Sequence, residues 1–250
     1  MTRYYYDLHI HSCLSPCADD DMTPANIAGM ATLNGLQLVA LTDHNSSGNC
    51  AAFLEACHAY GIVGVPGMEL TTAEEIHMVC LFPSLEKAEK FETIVRSRRM
   101  QIKNRPDIFG NQLLVNTDDE IIGREELLLI PATTLPLEEA YRLALDCGGA
   151  AYPAHIDREA NGIVAILGTV PTEPAFSAIE LRDGENREAY TEQYALQDKR
   201  FVCSSDAHHL WDIQEAAHYL ELNDEPYSSS KVREALIDLL RGETGQKGEP

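Results

Sequence analysis

Short apolar runs rich in Val, Ile, Leu and Tyr recur along the chain, and most are separated by stretches of helical pattern. The runs are "YYYDLH", "LQLVALT", "IVGVPGMEL", "IHMVCLF", "AAYPAH", "SAIELR", "RFVCSSD" and "HYLEL". Helices are expected over "SGNCAAFLEACHAYG", "SLEKAEKFETIVRSRRM", "PLEEAYRLALDCGG", "EANGIVAILGT", "ENREAYTEQYALQ" and "SSKVREALIDLLRG". Another begins near Thr23-Pro24, a capping threonine followed by proline at the first helical position. Strands alternating with helices make βαβ units and a mostly parallel sheet. In 250 residues, this many strands predict a barrel-like closure. One interruption, "NRPDIFGNQLLVNTDDEIIGREELLLI", holds two short apolar runs divided by turn residues. It reads as a small insertion near residues 105–130, a hairpin within a single domain spanning residues 1–241. The polar, Gly-rich end "GETGQKGEP" predicts a disordered tail over 242–250.

Composition narrows the setting. There is no apolar run of about 18 residues, so no transmembrane helix is expected. The start "MTRYYYDLHI" lacks the basic and apolar regions of a secretion signal, which makes the cytoplasm the expected compartment. The seven cysteines are scattered and odd in number, and read as reduced thiols. Cys13 and Cys17 have no second close pair with which to form a zinc knuckle. A formal charge of −21, from 40 acids against 19 bases, repels polyanions and disfavours long nucleic acid. A small anionic substrate held by metals and a few arginines remains compatible.

The chemistry lies at the ends of the strands. In "DLHIH", strand alternation puts Asp7, His9 and His11 on one face and Leu8 and Ile10 on the other. Alone, such a pair of imidazoles is as often structural as ligating. "LTDHN", however, ends in Asp43-His44, and Glu69 sits in the apolar "GVPGMEL". His77 lies in "EIHMV", His155 ends "AYPAH", and Asp206 and His208 end "CSSDAHH". A carboxylate in a buried strand is costly unless paired or metal-bound. So many ionisable strand ends point to a polynuclear metal site at the face where barrels build active sites.

The ordered set "HIH", "TDH", a strand Glu, a strand His, "PAH" and "SDAH" resembles the polymerase and histidinol phosphatase (PHP) family, from Asp7 to about Leu240. The resemblance implies a distorted (β/α)7 barrel with three divalent metal ions, and hydrolysis of phosphate esters. It implies a first metal on His9, His11 and Asp206, with Glu69 bridging to another. A second takes His44, His208 and an acid from the loop after His11, and a third takes His77 and His155. The family commonly has a shorter loop than "HSCLSPCADDDMTP"; counting back from Pro24 favours Asp19, leaving Asp20 and Asp21 as solvated or helix-terminal charge.

Such sites suit Mn, Zn or Fe, and spacing does not choose among them. The reaction expected is in-line attack of a metal-bound hydroxide on a phosphomonoester or cyclic phosphodiester, with Asp206 and His208 at the reacting centre. Arg158, Arg182 and, more weakly, Arg187 are the candidate phosphate-binding arginines. His58, His209 and His218 fall outside the motifs, and Asp43 and Asp7 read as orienting groups. The leading expectation is a hydrolase of a small phosphorylated metabolite or nucleotide. Its competitors are a short-oligonucleotide exonuclease, a metal-dependent amidohydrolase and a noncatalytic metal-binding protein. No strand lysine is placed to bridge metals as in amidohydrolases, since Lys87, Lys90, Lys103 and Lys199 fall in helices or loops.

Overall fold

The structure, a computed structural model, describes residues 1–243. In chain order its elements are β1 (Thr2–Ile10), α1 (Pro24–Leu33), β2 (Leu38–Leu41), α2 (Cys50–Ala59), β3 (Val63–Thr71), β4 (His77–Leu81), α3 (Leu85–Arg96), α4 (Pro106–Phe109), β5 (Leu113–Val115) and β6 (Ile121–Arg124). Then follow α5 (Leu137–Asp146), β7 (Ala150–Pro153), α6 (Ile163–Leu167), β8 (Ala178–Leu181), α7 (Arg187–Tyr194), β9 (Arg200–Cys203), β10 (Tyr219–Leu222) and α8 (Ser229–Arg241). Of the tail expected to be disordered, Gly242 is the left-handed cap of α8, and residues 244–250 lie outside the described residues.

A curled six-stranded sheet runs β10-β1-β2-β3-β4-β7, and β8 and β9 pair separately. Backbone contacts at the strand ends close the ring. The Ile156 N–H donates to Glu180 O at 2.9 Å beside β7 and β8, and the His11 N–H donates to Ala207 O at 2.9 Å beside β9 and β1. With β10 lying outside the ring, antiparallel on the first half of β1, the result is a distorted (β/α)7 barrel.

The expected parallel sheet holds for β1-β2-β3 and for β8-β9, but β4 runs antiparallel to both β3 and β7. The cause is chain length: residues 72–76 join β3 to β4, too few for a parallel crossover, which needs about a dozen or more. His77 therefore starts its strand rather than ending it. Reversal brings that start to the same face as the other strands' C-terminal ends, with Thr71 paired to His77.

The alternation expected in "DLHIH" also needs correcting. The β1–β2 register shifts between Asp7 and Ile10. Before the irregularity Tyr4, Tyr6 and Leu8 pack inside the barrel with Leu38, Val65 and Val79; after it Ile10 packs outward with Ile27, Val39 and Phe53. A bulge changes which side chains face in. Leu8 thus fills the barrel, and Asp7 turns away from the two histidines, accepting from the N–H groups of Ser205 at 3.1 Å and Gln214 at 3.4 Å.

The interior is apolar toward the end closed by α8, where Val232, Leu236 and Ile237 join the barrel cluster. Arg241 Nε donates to Gly149 O at 2.7 Å and fastens the end of this helix below β7. At the other end, α4, β5 and β6 make the expected insertion a hairpin with a short helical turn. It packs on the loop after His11: the Leu113 N–H donates to Cys13 O at 2.8 Å, and Asn111 Nδ2 donates to Asp20 at 2.8 Å. No helix among the described residues is long and apolar enough to cross a membrane.

Candidate metal centre

Glu69, fully buried near the end of β3, is the hub of the polar end of the barrel. Its Oε1 lies 2.8 Å from His77 Nδ1, 3.1 Å from His155 Nε2 and 3.3 Å from His9 Nε2. Its Oε2 lies 3.0 Å from His44 Nδ1 and 3.4 Å from His11 Nε2. Asp206 Oδ1 stands 3.5 Å from His9 Nε2 and 3.4 Å from His11 Nε2. The ligand atoms fall into three overlapping groups: His9, His11, Glu69 and Asp206; His44, Glu69 and His77; and His11, His44 and His208. His155 enters through Glu69, with its ring 5.3 Å from that of His77.

Outer contacts fix these imidazoles. His9 Nδ1 is 2.8 Å from Glu180 Oε1, which turns Nε2 toward the cluster. His11 Nδ1 is 2.9 Å from Ser15 Oγ, whose hydroxyl donates to Asp43 at 2.7 Å. His208 Nδ1 is held by the Asp206 carbonyl at 2.8 Å, leaving Nε2 free to act as a ligand atom. Backbone strain is present at the same rim. Asn45, His155 and Asp206 have φ of 49°, 26° and 55°, in a region that side chains other than glycine rarely adopt.

Several histidines meeting two carboxylates out of water determine the electrostatics. Burial alone would push Glu69 up, but His77 and His9 draw it well below the usual carboxylate range. Asp206 is likewise depressed, by His9 and His11 working against burial. For His9, burial is overcome by Glu180, Glu69 and Asp206, and the ring is held well above its ordinary value. His11 moves the opposite way, lowered by burial and by neighbouring His208 and His44.

The donor set fits divalent metal ions. His44 Nδ1 and His77 Nδ1 lie 3.0 and 2.8 Å from Glu69 oxygens without hydrogen-bond geometry, and His155 Nδ1 and Glu180 Oε2 are buried without a hydrogen-bond partner, a costly arrangement for polar atoms. Cations among these nitrogens and carboxylates would satisfy the atoms facing the cluster and offset the buried negative charge.

Of the residues expected from sequence, His9, His11, His44, Glu69, His77, His155, Asp206 and His208 come together at one end of the barrel. Asp19 does not join them. Its carboxylate is exposed and lies 2.7 Å from Nδ1 of His209, whose ring stacks on Trp211 at 4.7 Å. On the same loop Cys17 is exposed on the side of His44 and His208. Desolvation, which raises the thiol, is outweighed there by these two histidines, and Cys17 is drawn down to about 6.

Arg158 reaches the site, with Nη1 2.5 Å from Asp206 Oδ2. Arg182 is exposed at the end of β8, where its backbone N–H donates to Asp157 at 2.9 Å. Arg187 stands elsewhere. Its guanidinium lies 5.3 Å from the Phe201 ring centroid and lines a cavity of about 290 Å³ with Tyr6, Cys203 and His218, none of them in the cluster. It follows α7 outward rather than the strand ends. Glu180, on His9, lies outside the set expected from sequence. An acid inside "SAIELR" carries the same signal that marked Glu69.

Comparison with known proteins bears on this geometry. The family model described as PHP domain matches residues 7–147. No curated protein matches the chain in sequence. Among solved structures, a lesion-specific endonuclease from Pyrococcus furiosus aligns with a TM-score of 0.64 at 19% identity, over 98% of this chain and 57% of its own. The present chain thus spans little more than half the length of that enzyme. A candidate metal-dependent phosphoesterase from Bifidobacterium adolescentis aligns with a TM-score of 0.57 at 18% identity, over 92% of this chain and 95% of its own. An amidohydrolase from Chromobacterium violaceum, with bound sulfate and no metal, aligns with a TM-score of 0.53 at 18% identity, over 88% and 92%. At these identities the likeness is one of fold.

Proposed function

This chain belongs to the PHP domain family of metal-dependent hydrolases, and from that premise we propose that it hydrolyses phosphate esters of a small metabolite or nucleotide. The observation that carries the reading is Arg158 on Asp206: a guanidinium fork stands beside a metal-type carboxylate at the open end of the barrel. That pairing suits a phosphoryl group, whose oxygens take both an arginine and cations.

In this reading His9, His11, Glu69, His77, His155, Asp206, His44 and His208 would hold divalent ions, three by the family resemblance. Bound ions would lower the pKa of water and neutralise charge on the phosphoryl oxygens. The chain's own residues supply the rest. Glu180 and the Asp43–Ser15 pair keep His9 and His11 aimed at the cluster. Arg158 exchanges part of its contact with Asp206 for a substrate oxygen and orients the ester, and exposed Arg182 adds a second positive group at the mouth. The net charge of −21 favours a small anion over a long polyanion. This distinguishes the proposal from the activity of the fold-related Pyrococcus endonuclease.

Phosphate release should be measured with Mn-, Zn- and Fe-reconstituted protein on one panel: a 3′,5′-bisphosphate nucleotide, a sugar cyclic phosphate, a sugar monophosphate and a short oligonucleotide. Turnover of a small ester that a chelator removes is the expected result. Cleavage of the oligonucleotide alone would replace this reading with a nuclease, and hydrolysis of amide substrates with every phosphate ester left intact would replace it with an amidohydrolase.

A further inference from the structure

We propose that Arg99 is a positioning residue of the metal centre: it locks the turn at Asn45 that aims His44, and through Glu125 it ties that aim to the insertion. The inference rests on the metal-dependent reading above and concerns what holds one ligand in place.

His44 belongs to two of the three ligand groups, one with Glu69 and His77 and one with His11 and His208. An error in its direction would therefore be felt on both sides of the centre. His9 and His11 are steadied by partners on their own rings, Glu180 and Ser15. For His44 the steadying contacts lie on the backbone. Its N–H donates to Ser15 Oγ at 3.2 Å, and the N–H of the next residue, Asn45, donates to Glu69 O at 2.8 Å. Asn45 has a φ of 49°, so the chain leaves the ligand through a left-handed turn that its surroundings must fix.

Every polar group of Asn45 is engaged. Its side-chain amide accepts from the Thr71 N–H at 2.9 Å and donates to Leu129 O at 2.6 Å and Pro131 O at 3.1 Å. Its carbonyl takes two donors from one side chain, Arg99 Nε at 2.8 Å and Arg99 Nη2. Arg99 is 5% exposed, and its guanidinium also meets Glu92 at 2.9 Å and Glu125 at 3.3 Å. The two carboxylates offset the buried positive charge. A rigid fork that spans a carbonyl and two acids is a geometry that arginine offers and lysine does not.

Glu125 brings the insertion into this line of contacts. It follows β6, its N–H donates to Gln112 O at 2.9 Å, and Gln112 Nε2 donates back to Glu125 O at 2.8 Å. Gln112 immediately precedes β5, so both strands of the hairpin bear on the residue that fixes Asn45. The hairpin supplies no member of the ligand groups and reaches them through Glu125, Arg99 and Asn45 in turn.

Zinc affinity, read by competition with a chromogenic chelator, tests the assignment without reference to turnover. Arg99→Lys should weaken binding by about 10- to 100-fold, the usual cost of losing a contact behind a ligand. Glu125→Gln, which leaves both bonds to Asn45 in place, should act in the same direction and by less. In a His44→Ala background, where His9, His11, Glu69 and Asp206 remain as a group, neither change should weaken zinc further, because the ligand they steady is gone. A role in the fold alone would weaken zinc equally in both backgrounds. The assignment is overturned if Arg99→Lys binds zinc as wild type does, or if its loss persists undiminished without His44. If Glu125→Gln alone binds as wild type does, the part given to the insertion is overturned. Should Arg99→Lys fail to fold, Glu125→Gln decides the whole assignment by the same comparison. Folded wild-type protein that binds no zinc would overturn the metal-dependent reading as well, so the two failures are distinguishable.

Discussion

The two ends of the barrel interior are lined by the same strands and obey opposite rules. Toward α8, Tyr4, Leu38, Val63, Val65 and Leu81 pack with Leu236 and Ile237 in an apolar cluster. At the other end His9, His11, Glu69 and His155 are just as buried, yet Glu69 and His155 each keep a polar atom without a hydrogen bond. Burial stabilises the first end, at about 25 cal/mol per Å² of apolar area removed from water. At the second, burial costs free energy until something charged arrives. The molecule thus carries its stability at one end of each strand and its chemistry at the other, and the closed apolar end is what allows the strained one to exist.

The comparison is broken most forcefully at its hub. Glu69→Gln should lose metal and reduce hydrolysis by more than about 100-fold, beyond the usual cost of disturbing an outer contact. The far-ultraviolet circular dichroism of the folded chain should persist. His155→Ala should act in the same direction, and unchanged metal content in that variant would remove His155 from the centre.

At the opposite end, Leu236→Ala removes a fully buried side chain from the cluster under the barrel. It should cost about 2–5 kcal/mol in denaturant unfolding, with metal affinity unaltered in the folded population. A coupled loss of metal affinity would show that the two ends are not independent.

Glu180→Gln sharpens the boundary, since Glu180 is a buried acid between the apolar layer and the histidine cluster. Weakening its hold on His9 should lower metal affinity by about 10- to 100-fold, readable by competition with a chromogenic chelator.

The smallest effect belongs outside the barrel, where Glu92 on α3 accepts from Ser46, Ser47 and Arg99. Burial would raise Glu92, but Ser47 and Arg99 hold it below its ordinary 4.5. A carboxylate with a depressed folded-state pKa contributes stability above the unfolded value and loses it as pH falls through the folded one. Glu92→Gln should therefore cost about 1 kcal/mol at neutral pH. The gap from wild type should close as the pH drops below 4.5. A gap that widened with acid would reverse the sign of this account.

What was legible in the sequence follows the same division. Apolar runs announce strands, and an ionisable residue within one stands out, so Glu69, His44 and Asp206 could be singled out by chemistry alone. Direction and facing are less visible. The reversal of β4 depends on counting the residues between Thr71 and His77, and the bulge in β1 has no marker in "DLHIH". The loop after His11 was least legible, because its shape is set by Gly110, Leu113 and Asn111, about a hundred residues away in sequence. Cys17 and Asp19 both end up exposed, and it is tertiary contact with His209, not spacing, that takes Asp19 away from the cluster. Arg187 was misplaced for a related reason: nearness to a strand end in sequence does not say which side of the barrel the next helix takes.

The most direct measurement is divalent metal content and phosphate-ester turnover on one preparation, before chelation, after it and after metal is returned. The account predicts more than one ion per chain, loss of turnover on stripping and recovery on reloading, with the stripped protein still folded. Turnover indifferent to chelation, or a folded protein that takes up no divalent ion, would contradict it.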